Sequence, residues 1–172
     1  KILKDSKEGV WKGRYSFKRS EQKKRKRKVH LFGSGAILPE ALRAAQLLEE
    51  EYTVTAYVWS ITSYKALYDD AIDTDRANRL NAQLNKKPNY IQECLKDEEG
   101  VFVAACDYLK VLPESISRWF PAPLTALGTD GFGRSDNREH LRDFFEVDYR
   151  HIAYATLYEL AGKGELEMQE LK

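Results

Sequence analysis

The most informative stretch of the chain is Leu127-Gly128-Thr129-Asp130-Gly131-Phe132-Gly133-Arg134-Ser135-Asp136. Its three glycines permit left-handed backbone and a tight path. Asp130, Arg134 and Asp136, with Arg138 just beyond, are close enough in sequence to form a local charge network, and Asp136 is placed to cap a following helix. Such a segment is either a functional loop at the carboxyl end of a strand or an internally braced connection that holds two elements or a subunit contact. The residues themselves divide evenly between the two.

Other constellations carry less. Gly33-Ser34-Gly35 lies where a strand pattern gives way to a helix pattern, a place where backbone approaches phosphate and helix amides point at it. A dinucleotide fingerprint needs a third glycine, but Leu38 stands in its place, and the second strand ends in Trp59-Ser60 rather than in an acid. A tight turn that merely packs is the simpler reading. His30, His140 and His151 have no cysteine or histidine partner at ligand spacing, so no metal site is expected. No G-x-S-x-G elbow supplies a nucleophile. Cys94 and Cys106 lie in apolar surroundings and read as small buried hydrophobes of a reducing, cytoplasmic setting.

Four segments read as strands, each followed by helical pattern. They are Val29 to Gly33, Val54 to Trp59, Val101 to Ala105 and Leu124 to Leu127. The third is a continuous small apolar run between Gly100 and Asp107, which suits a strand covered on both faces. After the first, Ile37, Ala41, Ala44, Ala45 and Leu48 mark a buried helix face, with Glu40, Arg43 and Glu49 outward and Pro39 in the first turn. Helical or loop pattern covers Lys65 to Leu95, broken by Pro88. Helices are expected over Leu109 to Trp119 and Asn137 to Phe145. Asp148 caps the last, with Gly162 beyond its end. Alternation of strands and helices implies a mostly parallel sheet with helices on both faces. Val10 to Lys18 is expected as an edge strand, and Lys23 to Lys28 as a basic hairpin turn leading into the Val29 strand. The domain division expected is an edge strand and basic hairpin or linker over 1–28, then one domain over 29–172.

The chain has 172 residues, 42% apolar and 32% charged, which bounds it to one globular domain. No run of roughly 18 apolar residues offers a membrane span. Its only methionine is Met168 and it opens on Lys1, so a piece cut from a longer polypeptide is expected. The net charge of +1 hides an asymmetry: residues 1–28 hold 13 Lys and Arg against 3 acids, and the remainder 15 against 24. The run Lys23-Lys24-Arg25-Lys26-Arg27-Lys28 could neutralise phosphates. It lacks interleaved aromatics and sits on an acidic body, so a solvated turn or a dock for an acidic protein face is expected, not nucleic acid.

Leu127 to Asp136, followed by Phe144-Phe145-Glu146-Val147-Asp148, resembles the carboxy-terminal domain of the homodimeric type of pyruvate dehydrogenase first component. The resemblance extends upstream through Leu31-Phe32-Gly33-Ser34-Gly35-Ala36-Ile37-Leu38, Val58-Trp59-Ser60-Ile61-Thr62-Ser63, Asp107-Tyr108 and Glu8-Gly9-Val10-Trp11-Lys12-Gly13. It covers nearly the whole chain in one order. It departs at Ala77 and Asn81, where the family commonly has Trp and His.

The resemblance implies a transketolase C-terminal-like, three-layer α/β domain whose mostly parallel five-stranded sheet has one antiparallel edge strand. It implies a longer enzyme that decarboxylates pyruvate on thiamine diphosphate with magnesium and passes acetyl to a lipoyl group of the complex's dihydrolipoyl acetyltransferase component. In that family earlier domains hold the cofactor. No residue here inherits a catalytic, cofactor or metal role, since Asp130-Gly131 follows Thr129 rather than the glycine the cofactor motif needs. Its partners would be other domains of the same chain, a second copy in a homodimer and the acetyltransferase. Asp130, Gly131, Phe132, Gly133, Arg134, Ser135 and Asp136 are the expected interface or entrance-facing loop. The alternative is a stand-alone module that docks an acidic partner through the basic hairpin.

Overall fold

All five residues of Val101–Ala105 are buried, so this strand is covered on both faces, as its unbroken apolar run implies. The computed structural model describes residues 6–20, 27–81 and 85–171. In chain order the elements are α1 (Ser6–Lys12), β1 (Arg14–Lys18), β2 (Lys28–Ser34), α2 (Leu38–Glu51), β3 (Thr55–Ile61), α3 (Tyr64–Leu80), α4 (Tyr90–Leu95), β4 (Val101–Ala105), α5 (Val111–Glu114), β5 (Leu124–Leu127), α6 (Arg138–Phe144) and α7 (Tyr149–Gly162). Short 3-10 turns cover Gly35–Ile37, Ser117–Trp119 and Met168–Leu171.

The sheet has five strands in the order β1-β3-β2-β4-β5. β1 runs antiparallel to β3, and every other pair is parallel. Because strand side chains alternate between faces, the core divides in two. Val29, Leu31, Val58 and Val103 pack against α2 and α7. Phe32, Trp59 and Phe102 belong to a second cluster with Leu67 of α3, Leu95 of α4 and Trp119. This is the mixed, three-layer α/β architecture expected.

Local signals explain the boundaries. Ser63 caps α3 by accepting from the Ala66 amide at 3.1 Å, and Asn89 and Gln92 form a reciprocal capping box on α4. Asp148 caps α7 through the amides of Arg150 and His151, at 2.9 and 3.1 Å. At Gly33 the backbone of α2 comes so close that a Cβ there would stand 2.7 Å from the Leu38 Cα.

Several expectations are corrected. Val10 does not begin the edge strand: Val10 to Lys12 end α1, and Gly13, at φ +102°, turns the chain so that the strand starts at Arg14. β1 pairs with β3 rather than β2, so the strands on either side of the basic run are not a hairpin. Of that run, residues 23–26 lie outside the described residues, and with them most of the surface on which the stand-alone alternative depends. The helix expected over Leu109 to Trp119 is instead one turn, α5, and a 3-10 turn. Pro113 removes an amide inside it, and the hydroxyls of Ser115 and Ser117 donate to the carbonyls of Leu112 and Glu114. Gly162 is the last residue of α7 rather than the one beyond it, and the left-handed exit is made by Gly164.

Candidate functional site

From β2 the chain moves outward to β3, then returns past β2 to β4 and continues to β5. The direction of winding reverses between β2 and β4, and open α/β sheets place their crevice outside the strand ends at such a reversal. Here the crevice is a cavity of about 560 Å³. Ile37 from the turn after β2, Asp107 after β4, Thr129 and Arg134 after β5, and Arg138 and Phe145 around α6 line it.

The glycine-rich loop forms one wall. Its first half is pinned to the segment after β4. The Thr129 amide donates to the Tyr108 carbonyl at 2.8 Å, and Asp130 accepts from the amide of Lys110 at 2.9 Å and from its ammonium at 3.1 Å. The Lys110 amide, then its ammonium, hold the Asp130 carboxyl below the usual carboxylate range. Gly131 takes φ +84°, and there the loop leaves the body of the domain. Phe132 is 96% exposed, and Gly133 and Ser135 are exposed beside it. The Arg134 guanidinium lies 5.2 Å from the centre of the Phe144 ring. Asp136 accepts from the Asn137 amide at 2.6 Å and pairs with His140 Nδ1 at 3.1 Å, and these contacts, the amide first, hold its carboxyl below the ordinary range.

The charge network expected among Asp130, Arg134, Asp136 and Arg138 is replaced by separate local partners. Among the described residues no ion pair joins any two of the four. The cap of α6 is also not Asp136. Asn137 fills that role, its Oδ1 accepting from the His140 amide at 2.9 Å. Loop and crevice are nevertheless brought together as the strand-end placement implies.

Sequence reasoning missed Glu40. Placed outward by helical periodicity, it is instead 4% exposed. It accepts from Arg142 Nη1 at 2.9 Å, from Arg43 Nη1 at 3.3 Å and from the Tyr149 amide at 3.1 Å. Arg142 also donates to the Ala36 carbonyl at 2.7 Å, fastening α6 across the turn that forms the crevice floor. The only sequence signal was a carboxylate in the first turn of α2, which reads equally well as a dipole partner on the surface.

A second cluster joins α6 to α7. Asp143, Asp148 and His151 bring ligand atoms within 4.8 Å of one another. Arg150 already bridges both carboxylates, so a cation's place is filled by a guanidinium. Burial pushes the Asp148 carboxyl up, but Arg150, then His151, outweigh it and hold the group below its ordinary range.

A doubly wound domain with one antiparallel edge strand and a glycine-rich loop at its crevice defines a class, and the comparisons agree with it. Residues 13–148 match the transketolase-like TK C-terminal domain, and the chain belongs to that family. Within the class, it is similar to the pyruvate dehydrogenase E1 component of Pseudomonas aeruginosa, 41% identical over 165 residues covering 95% of this chain and 19% of that protein. It is also similar to the pyruvate dehydrogenase E1 component of Escherichia coli K12, 41% identical over 93% of this chain and 18% of that protein. The chain thus spans about a fifth of the length of these relatives. Among solved structures, transketolase from Leishmania mexicana superposes with a TM-score of 0.59 at 18% identity, over 91% of this chain and 19% of that one. A split-gene transketolase, described as an inactive beta4 tetramer, gives 0.60 at 18% identity over 87% of this chain and 43% of that one. These structural likenesses speak to the fold.

Proposed function

We propose that this chain is the carboxy-terminal domain of a pyruvate dehydrogenase first component, a thiamine diphosphate enzyme that decarboxylates pyruvate and passes the acetyl group to a lipoyl group of the acetyltransferase. The single observation that carries this reading is the 41% identity to pyruvate dehydrogenase E1 components across 95% of the chain.

The domain itself is non-catalytic. Its residues do not fit thiamine diphosphate and magnesium: Asp130, the acid followed by glycine, is engaged by Lys110, and the acids of the crevice share it with Arg134 and Arg138. What the domain supplies is support. The segment Asp130 to Asp136 is braced at Asp130 by Lys110 and exposed along its length, with Phe132 outward and Arg134 at the crevice wall over Phe144. In the whole enzyme it meets a neighbouring domain or the second copy at the active-site entrance, and Arg134 suits a carboxylate there because its planar fork donates two parallel bonds.

The test is Arg134→Ala in the full-length protein, with pyruvate turnover and solution mass as readouts. The expected result is a loss of turnover, of dimer or of both, on the order of tenfold or more for a desolvated charged contact. Unchanged kinetics together with unchanged mass would remove the role given to the loop. Absence of pyruvate decarboxylation by the wild-type full-length protein would remove the enzyme assignment itself.

A further inference from the structure

A cavity of about 600 Å³ that shares no residue with the crevice opens on the side of the sheet covered by α3 and α4. Asp75 and Asn78 near the end of α3, Leu95 of α4, and Phe120 and Pro121 after the 3-10 turn bound it. Three exposed lysines, Lys86, Lys87 and Lys96, stand around it. Pro88, Phe120 and Pro121 give it apolar surface that folding leaves accessible. Apolar surface rimmed by polar groups marks a place of contact.

The charges around this groove do not balance. Among the described residues Lys86 and Lys87 make no ion pair, and Lys96 meets only its neighbour Asp97, at 3.9 Å. Asp75, the carboxylate that lines the cavity, is already engaged: it accepts from Trp119 Nε1 at 3.1 Å and pairs with Arg118. This reverses the balance of residues 29–172, which hold 15 Lys and Arg against 24 acids. Unpaired cations on an otherwise acidic domain select an anionic partner. The backbone that carries them is also fixed. Asn78 Nδ2 donates to the Lys87 carbonyl at 2.9 Å, its Oδ1 accepts from the Lys87 amide at 3.0 Å, and the Asn89–Gln92 capping box follows directly. A partner therefore has only side-chain freedom to restrict.

We propose that this groove docks a short acidic peptide segment of a partner protein. Its carboxylates pair with Lys86, Lys87 and Lys96, and one apolar side chain between them packs against Pro88, Phe120 and Pro121. Ammonium groups on flexible stems suit carboxylates spaced along a peptide, where guanidinium forks would demand a fixed planar partner. The acidic body around the groove repels a long polyanion, which favours a short segment over nucleic acid. The apolar floor gives the segment a contact that salt does not screen.

The experiment titrates the full-length protein with the synthetic peptide acetyl-Glu-Glu-Leu-Glu-Glu-amide at low salt and follows binding by calorimetry. Lys86→Glu and Lys87→Glu should each weaken binding about fivefold or more, as charge reversal beside a carboxylate does. Lys7→Glu makes the same change of net charge on the exposed side of α1 and should weaken it less than about twofold. The three lysines are exposed, so the variants keep the fold. The same peptide with glutamine in place of every glutamate should not bind. Absence of binding by the acidic peptide at millimolar concentration, an equal loss with Lys7→Glu, or equal binding of the glutamine peptide overturns the proposal. Tighter binding of a single-stranded oligonucleotide, lost with Lys86→Glu, overturns it in favour of nucleic acid. None of these readouts depends on pyruvate turnover, so the enzyme reading can fail without touching this result.

Discussion

Arg142 reaches across 102 residues of sequence to place its Nη1 2.9 Å from Glu40 Oε1. The contact joins α6 to the first turn of α2 directly beside the crevice, and the Tyr149 amide at the start of α7 shares the same carboxylate. One buried acid thus holds three helices in relation to each other.

Glu40→Ala removes the acceptor and leaves a largely buried guanidinium and an amide without it. Breaking such a pair costs about 3 kcal/mol, read as a lowered midpoint of chemical unfolding. Glu40→Gln keeps one acceptor oxygen, and its loss should be about half as large, following the ordinary difference between charged and neutral hydrogen bonds. Because the Arg142 side chain is only 17% exposed, the loss should persist in high salt. A midpoint unchanged by Glu40→Ala would show that the three helices are held by their apolar contacts alone.

How far the sequence reveals this fold depends on where each residue's signal is local. β4 and β5 are legible to the residue because a short apolar run between turn formers has no competing interpretation. Asp148 likewise announces a helix start through a side chain that bonds its own backbone, whereas the caps at Ser63 and Asn89 emerge only with the folded chain. Glu40 is illegible for the opposite reason: its burial is set by Arg142, and no local pattern encodes a partner so distant. The strand after Gly13 is misread at its start because Val10 and Trp11 look like strand residues, yet they are exposed on α1. Loop residues 130–136 are found at the end of β5 because strand ends in such sheets lead to crevices. Their individual partners depend on Lys110, His140 and Phe144, whose positions follow only from the folded chain.

His30 makes the stability of the domain pH-dependent. Its ring is stacked between Tyr57 and Phe102, at centroid distances of 5.0 and 4.8 Å, and its Nδ1 accepts from Trp59 Nε1 at 3.2 Å. Burial pushes its pKa down from 6.5 to about 4. The unfolded chain therefore binds a proton below about 6.5 that the folded chain refuses until about pH 4. Stability from this group is complete above pH 6.5, declines as pH falls from 6.5 to 4, and levels off below. At pH 5 the loss should be about 2 kcal/mol. Urea unfolding at pH 7 and pH 5 measures it, and His30→Phe should abolish this component while keeping the stack. A wild-type midpoint equal at the two pH values would contradict the neutral, buried state of the ring.

Gly33 precedes the turn that floors the crevice and Gly131 stands in the glycine-rich loop, but alanine tests different physics at each. At Gly33 the new Cβ would meet the Leu38 Cα at 2.7 Å and the Ala41 Cβ at 3.2 Å. Backbone cannot yield cheaply, so overpacking costs about 2–3 kcal/mol and moves the turn that floors the crevice. At Gly131 nothing stands within 4 Å of the added carbon, and the only penalty is φ +84° for an L-residue. That strain costs about 1 kcal/mol. Thermal unfolding of the full-length variants distinguishes open space from a clasped loop. A loss at Gly131→Ala near 1 kcal/mol means that the loop remains uncovered in the whole protein. A loss matching that of Gly33→Ala, with reduced dimer mass, means that another part of the protein lies against Gly131, as the supporting role proposed for this domain requires.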